Sequence, residues 1–322
     1  MTSSGQYGSV LVAGSANIDF VVRVPHIPSP GETVLGGDLT VVPGGKGANQ
    51  AVACARAGGA TTTFLAALGD DPYASLLTAS LTAAGVELRI VHSDRPTGAA
   101  LITVSDDAEN AIAVAPGANA ALAAGDLPDP AGVTWLVMQL ETPMPTVLAF
   151  ARAARAVGVK VMLNAAPAQS LPTNLLAAVD MLVVNEQELT TVVGEAGSVA
   201  DQLAATGVPG AVATLGARGC CALVAGEYFL QSAFAVDAVD TTAAGDTFCG
   251  ALAAALAHGE PIAGALRSAA AAGALATTAA GAQISIPDRL AVTTLLASDG
   301  DRTDPTLAAY CGLPPRIDGT YR

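Results

Sequence analysis

Short apolar runs at 9–14, 63–67, 135–140, 160–163, 181–184 and 210–215 alternate with longer amphipathic or Ala-rich stretches such as 48–58, 73–85 and 145–157. Strands buried on both faces read as continuous apolar segments, and the helices that cover them read as amphipathic ones. The rhythm therefore predicts βαβ units and a mostly parallel sheet in an α/β fold. Two regions, 20–42 and 98–115, break it. They alternate, as in Val22-Arg23-Val24 and Leu101-Ile102-Thr103-Val104, around the turn formers Pro28-Ser29-Pro30-Gly31 and Asp106-Asp107, with no helical period. These predict antiparallel strands that leave the main sheet. Both flank Gly- and Asn-rich loops, which suits a flap that closes over a cleft and excludes water; a sheet extension or an oligomer contact fits the same pattern. The uncharged stretch 268–286, mostly Ala, Gly and Thr, is a poor membrane span and predicts a buried small-residue helix. Beyond Pro287 the pattern weakens, and from Ser298 onward Asp, Gly, Pro and Arg dominate, which predicts that about the last two dozen residues are a loosely held tail with Cys311 exposed in it.

Composition narrows the class. A chain of 322 residues with 52% apolar and 13% charged residues can bury a core and is not a disordered chain. The net charge of −14 supplies no basic field for a nucleic-acid backbone or an anionic membrane, so an anionic ligand must be attracted by local groups. Cys54, Cys220, Cys221, Cys249 and Cys311 are odd in number and contain no C-x-x-C pair, which fits a reducing cytoplasm. His26, His92 and His258 lie far apart with no cysteine at zinc-ligand spacing, and the first eight residues carry no secretion signal.

Four clusters could carry chemistry. Thr241-Thr242-Ala243-Ala244-Gly245-Asp246 runs into a strong helix former, so small residues leave backbone amides open where the helix dipole attracts an anion. Asp246 can accept a proton from a hydroxyl attacking phosphorus, or it can simply cap the helix. Gly44-Gly45-Lys46-Gly47-Ala48-Asn49-Gln50 is neither a Walker A loop nor G-x-G-x-x-G; its glycines permit close backbone approach, and Asn49 suits sugar hydroxyls. Asn17 and Asp19 follow the first strand, where open α/β sheets bind ligands, and can grip neighbouring hydroxyls or form Asx turns. Glu141, ending the run from Trp135, faces a cleft or caps the next segment. Asn185-Glu186-Gln187-Glu188 can hold water-coordinated Mg2+ or open a helix as surface acids.

Taken together, 44–50, 240–250, Gly31-Glu32-Thr33, Asn164-Ala165-Ala166-Pro167-Ala168, 185–188 and Thr214-Leu215-Gly216-Ala217-Arg218-Gly219 resemble the ribokinase branch of the PfkB family of carbohydrate kinases, over roughly 10–287. The resemblance implies a ribokinase-like three-layer α/β/α domain over 1–290 with a mostly parallel central sheet and a small antiparallel β-lid from about 20–42 and 98–115, followed by an extension, 291–322, longer than the family pattern. It implies an ATP-dependent kinase acting at O5 of D-ribose, with another sugar, a nucleoside or a non-catalytic sugar-binding role as alternatives. Asp246 matches the family's general base and Ala243, Ala244 and Gly245 its anion hole. Asn17, Asp19, Gly44, Gly45, Lys46, Asn49 and Glu141 match pentose positions. Asn185 and Glu188 match the motif tied to Mg2+ and phosphate; Thr214 and Gly216, with Asn185 and Gly245, match nucleotide contacts. Asp240, Thr242, Ala276, Ala279, Gly281 and Ser285 match a monovalent cation site, usually K+. Ala270 stands where relatives commonly carry Asn or His near adenine. The family also implies a homodimer through the lid.

Overall fold

The computed structural model describes residues 8–107, 109–195, 197–298 and 305–314. Its strands are β1 (Ser9–Ala13), β2 (Asn17–Val24), β3 (Thr40–Gly44), β4 (Thr61–Gly69), β5 (Glu87–Ser93), β6 (Gly98–Ser105), β7 (Asn110–Ala115), β8 (Trp135–Met138), β9 (Lys160–Asn164), β10 (Met181–Asn185), β11 (Gly210–Thr214), β12 (Gly219–Val224) and β13 (Glu227–Ser232). The helices are α1 (Lys46–Arg56), α2 (Pro72–Ala83), α3 (Met144–Ala156), α4 (Thr173–Leu176), α5 (Glu186–Val193), α6 (Val199–Ala205), α7 (Ala244–Ala257), α8 (Ile262–Ala276), α9 (Arg289–Ser298) and α10 (Pro305–Tyr310).

Nine strands make the central sheet in the order β13-β12-β11-β10-β9-β8-β1-β4-β5, parallel from β11 to β5 with the β12–β13 hairpin antiparallel at one edge. Strand side chains alternate between two cores. Val10 and Val12 face α1, α2, α7, α8 and α9, whereas Leu11 and Ala13 face α3, α4, α5, α6 and α10. This is the three-layer α/β/α arrangement, and its chain order reverses between β1 and β8, where ligands of such sheets bind.

The second sheet runs β3-β2-β6-β7 and corresponds to the expected lid. Its two outer pairings are antiparallel, while β2 and β6, distant in sequence, pair in parallel. Residues 25–39, inside the first predicted lid segment, form no strand.

Two expectations are corrected. The helix predicted across 268–286 stops at Ala276, because Thr277 and Thr278 turn their hydroxyls back onto the carbonyls of Ala274 and Leu275 and Gly281 takes φ +97. Residues 305–314 of the tail are not loose and Cys311 is not exposed, while the rest of the predicted tail, 299–304 and 315–322, lies outside the described residues. Leu307, Ala308, Cys311 and Leu313 are buried in the α3–α6 core, where each leucine contributes about 2 kcal/mol.

Candidate active site

The lid and the carboxyl ends of the central strands enclose a cleft of about 860 Å³. Its wall includes Asn17, Asp19, Gly45, Lys46, Asn49, Glu141, Asn185, Glu188, Thr242, Ala243 and Asp246, which the sequence scatters over more than two hundred positions. Small residues bring these together. A Cβ on Gly250 of α7 would lie 2.5 Å from Ala53 Cβ and from Gln50 O of α1, so the two helices cross at a distance only glycine permits. That crossing delivers Asp246 to Asn49 and Gln50: Asn49 Nδ2 donates to Asp246 Oδ2 at 3.0 Å and Gln50 Nε2 to Oδ1 at 2.9 Å.

Asp246 therefore does not cap its own helix. The residue before α7 is Ala243, in the left-handed region at φ 59 and without a side-chain cap. A non-glycine residue held there costs on the order of 1–2 kcal/mol. The Ala244 amide donates to Thr241 O at 3.2 Å, and the first-turn amides of Gly245 and Asp246 have no intrahelical acceptor. An anion can be met by those donors and the helix dipole. Of the predicted anion-hole amides, Ala244's is thus engaged in the turn.

Across the α1 start from Asp246, Glu141 collects donors. Its Oε2 accepts from Ser15 Oγ at 2.6 Å, from the Lys46 amide at 3.2 Å and from Asn17 Nδ2 at 3.4 Å. It faces the cleft rather than capping α3, whose preceding residue is Pro143. Asn17 and Asp19 lie in β2 with their side chains on one face, so neither is an Asx turn. A Cβ on Gly44 would sit 2.0 Å from Asp19 Oδ2 and displace that carboxylate, and one on Gly45, at φ +90, would sit 2.6 Å from the Asn17 amide, so the backbone there demands glycine.

The lining has four carboxylates, Asp19, Glu141, Glu188 and Asp246, and one ammonium, Lys46. Burial, then Glu141 and Asp246, push the Asp19 carboxyl up to about 7. Burial also raises the Glu188 carboxyl above its ordinary value. Burial works against the Lys46 charge, but Asp246, Glu141 and Glu188 outweigh it and hold the ammonium above the usual lysine range. Asn49 Oδ1 is buried without a hydrogen-bond donor, an omission that costs about 1–3 kcal/mol until a ligand hydroxyl or water supplies one.

Asn185 and Glu188 cap α5 reciprocally, Asn185 Oδ1 accepting from the Glu188 amide and Glu188 Oε2 from the Asn185 amide, each at 2.8 Å. Both still face the cleft. No cluster of three or more His, Cys, Asp or Glu residues able to hold a metal occurs among the described residues. A divalent cation held mainly through water and phosphate does not need one, and the carboxylate excess suits such a hard cation. Thr214 and Gly216 lie just outside the cleft lining; Thr214 is the β11 register partner of Asn185, and Gly216, at φ +58, has open space where a Cβ would be.

Asp240 Oδ1 accepts from the Thr242 amide and Oδ2 from the Gly281 amide, both at 2.9 Å. One carboxylate thus ties the strap before α7 to the loop after α8. Despite burial, these hydrogen bonds and Arg23 hold Asp240 below the usual carboxylate range. Ala276 and Ser285 are buried, Ala279 lies in the connecting loop, and an oxygen-only donor set here fits a monovalent cation. Ala270 lies on α8, partly buried against the core.

Sequence reasoning missed the support behind Asp246. Gln139 Nε2 donates to Gln50 Oε1 at 2.6 Å, and Gln50 Nε2 also reaches Asn164 Oδ1 at 3.1 Å, all in a buried setting. Asn119 Nδ2 likewise donates to Asn17 Oδ1 at 2.7 Å. The only available signal was polar residues inside apolar runs, such as Gln139 after Val137-Met138.

Residues 8–289 match the profile of the pfkB family carbohydrate kinases. The chain is similar to the ribokinase of Haemophilus influenzae, 38% identical over 87% of this chain and 96% of that protein, and to that of Bacillus subtilis, 35% identical over 89% and 99%. In structure it resembles the crystal structure of ribokinase from Thermotoga maritima, with a TM-score of 0.83, 34% identity and coverage of 90% of this chain and 99% of that one. It also resembles Arabidopsis thaliana ribokinase complexed with ribose and ATP, with a TM-score of 0.80, 32% identity and coverage of 90% and 98%.

Proposed function

The chain belongs to the pfkB family of carbohydrate kinases, and from that premise we propose that it is an ATP-dependent ribokinase converting D-ribose and ATP to D-ribose 5-phosphate and ADP. The observation that carries the reading is the shared cleft: Asp246 stands at the open helix start of α7, within hydrogen-bond reach of Asn49, in the cavity that also holds Asn17, Asp19 and Glu141. A carbohydrate alcohol and the terminal phosphate of a nucleotide can meet there.

Asn17, Asp19, Lys46, Asn49 and Glu141, with the backbone at Gly44 and Gly45, bind the pentose, and the unpaired Asn49 Oδ1 accepts a sugar hydroxyl. Asp246 takes the proton of the attacking hydroxyl as the oxygen–phosphorus bond forms. The amides of Ala243, Gly245 and Asp246, with Ala244 once its turn bond opens, face the charge that builds on the transferring phosphoryl. Thr214, Gly216 and Asn185 bind the nucleotide phosphates. Glu188 and Asn185 would hold Mg2+ through water, and the ion supplies neutralisation of phosphate charge when bound. Asp240, Thr242, Ala276, Ala279, Gly281 and Ser285 would hold K+, which stiffens the strap presenting the helix start. The lid of β2, β3, β6 and β7 excludes water, and its outer apolar residues, Leu101 and Val41, suit a homodimer contact between lids. The five cysteines are free, which is compatible with a cytoplasmic protein; among the described residues no helix is long and apolar enough to cross a membrane.

ADP release over a sugar panel tests this. Ribose is expected to give the highest kcat/KM, with 2-deoxyribose reduced on the order of 10²-fold or more because a buried polar group loses its partner. A preference for 2-deoxyribose, fructose or adenosine would replace the substrate, and no ADP release with any sugar would reject kinase activity.

A further inference from the structure

Residues 305–314 lie beyond the 8–289 that match the family, and they are fixed to the body. Leu307, Ala308, Cys311 and Leu313 are 2%, 2%, 0% and 8% exposed. The Ala200 amide donates to Cys311 O at 3.0 Å, and Cys311 shares a buried core cluster with Cys221. At Gly312, φ +78, a Cβ would fall 2.3 Å from Ser198 Cβ, so the chain passes α6 where no side chain fits. These contacts account for docking.

The outward side of the same turn makes different contacts. The Tyr310 hydroxyl donates to Glu186 Oε1, and the Arg218 guanidinium lies 4.2 Å over the Tyr310 ring. Glu186 opens α5 between Asn185 and Glu188, and Arg218 ends the 3-10 turn Gly216–Arg218 that follows Thr214. One side chain of the extension thus bridges the two segments assigned to the nucleotide. The apolar anchors do not require this bridge, since they face the opposite side.

We propose that Tyr310 is a positioning residue for ATP: by holding Glu186 and Arg218 together it keeps 185–188 and 214–219 in the arrangement that receives the nucleotide phosphates. The inference rests on the nucleotide reading of Thr214, Gly216, Asn185 and Glu188 given above. Glycines at positive φ, Gly216 and Gly219 here, bring no side-chain packing that would hold their loop in place. A brace raises the fraction able to bind, and apparent affinity scales with that fraction.

Steady-state kinetics of the full chain test it, with Tyr310→Ala, Tyr310→Phe and, as a probe of the subsite itself, Gly216→Val. Tyr310→Ala is expected to raise KM for ATP about five- to tenfold, with KM for ribose and kcat at saturating ATP within about twofold. Tyr310→Phe keeps the ring under Arg218 and loses the hydroxyl to Glu186, so its KM for ATP falls between, and it remains informative should the alanine variant fail to fold. Amide hydrogen exchange over 186–190 and 214–219 is expected to speed up in both variants and to slow again with ATP. If Gly216→Val raises KM for ATP while both Tyr310 variants leave it unchanged, even with a lowered melting temperature, the extension is packing only and the proposal is overturned. If none of the three moves KM for ATP, the nucleotide reading itself fails.

Discussion

The two ends of the cleft are built by opposite means. At the end proposed for the sugar, Asp246, Asn49, Gln50, Gln139 and Asn164 form one buried, bonded chain and Asn17 and Asn119 a buried pair, seated by helices whose crossing tolerates nothing larger than glycine at Gly250. At the end proposed for the nucleotide, Arg218 is exposed and Glu186 half-buried, and the loops are tied by Asp240 on the inside and by Tyr310 on the outside. A hydroxyl must be aligned with a base to within a fraction of an ångström, which favours a rigid buried network. Phosphates are long, charged and mobile, and loops that move admit and release them.

The comparison is broken most severely through Gln50. Gln50→Leu removes a donor to Asp246 and strands Gln139 Nε2, so kcat is expected to fall about 10²-fold with KM for ribose changed much less. A variant with normal kcat in rapid-quench or coupled assays would mean that Asp246 needs no support from Gln50. The smaller effect of Tyr310→Ala, on KM for ATP alone, marks the contrast between the ends.

Asp19 sharpens the comparison through stability. Its carboxyl sits near 7 in the folded chain against an ordinary 3.8, so the native state keeps a proton that the unfolded chain has lost. Its contribution to stability is therefore unfavourable above about pH 7, diminishes as pH falls through the window from 7 to 4, and vanishes below it. Asp19→Asn is expected to melt a few degrees higher than the parent at pH 8 and at the same temperature near pH 4, by scanning calorimetry. Equal melting at both pH values would show that Asp19 is not strained by its neighbours.

The layered sheet, the cleft end of the strands and the two glycine-rich motifs were legible because period, turn residues and helix starts are local properties. What was not legible depended on distant partners. The parallel β2–β6 pairing joins segments some eighty residues apart, and nothing in either strand encodes its neighbour. Gln139 reads as one polar residue in an apolar run until Gln50 is brought beside it. The polar, proline-bearing tail looked unstructured because its apolar residues are few; their value lies in the groove they enter, between α6 and β12. Of the plainer readings, a capping Asp246 is not found, and the surface acids expected at 185–188 are a reciprocal cap in which Glu188 is buried, since a cap is decided by where a side chain points rather than by its type.

The most direct measurement pairs calorimetric titration of ribose with ADP release in Asp246→Asn. The substitution preserves size and loses the proton acceptor, so turnover is expected to drop by about 10³–10⁴-fold while ribose binds within a few fold of the parent. Turnover within tenfold of the parent, with ribose bound, would contradict the assignment of Asp246 as the group that takes the hydroxyl proton.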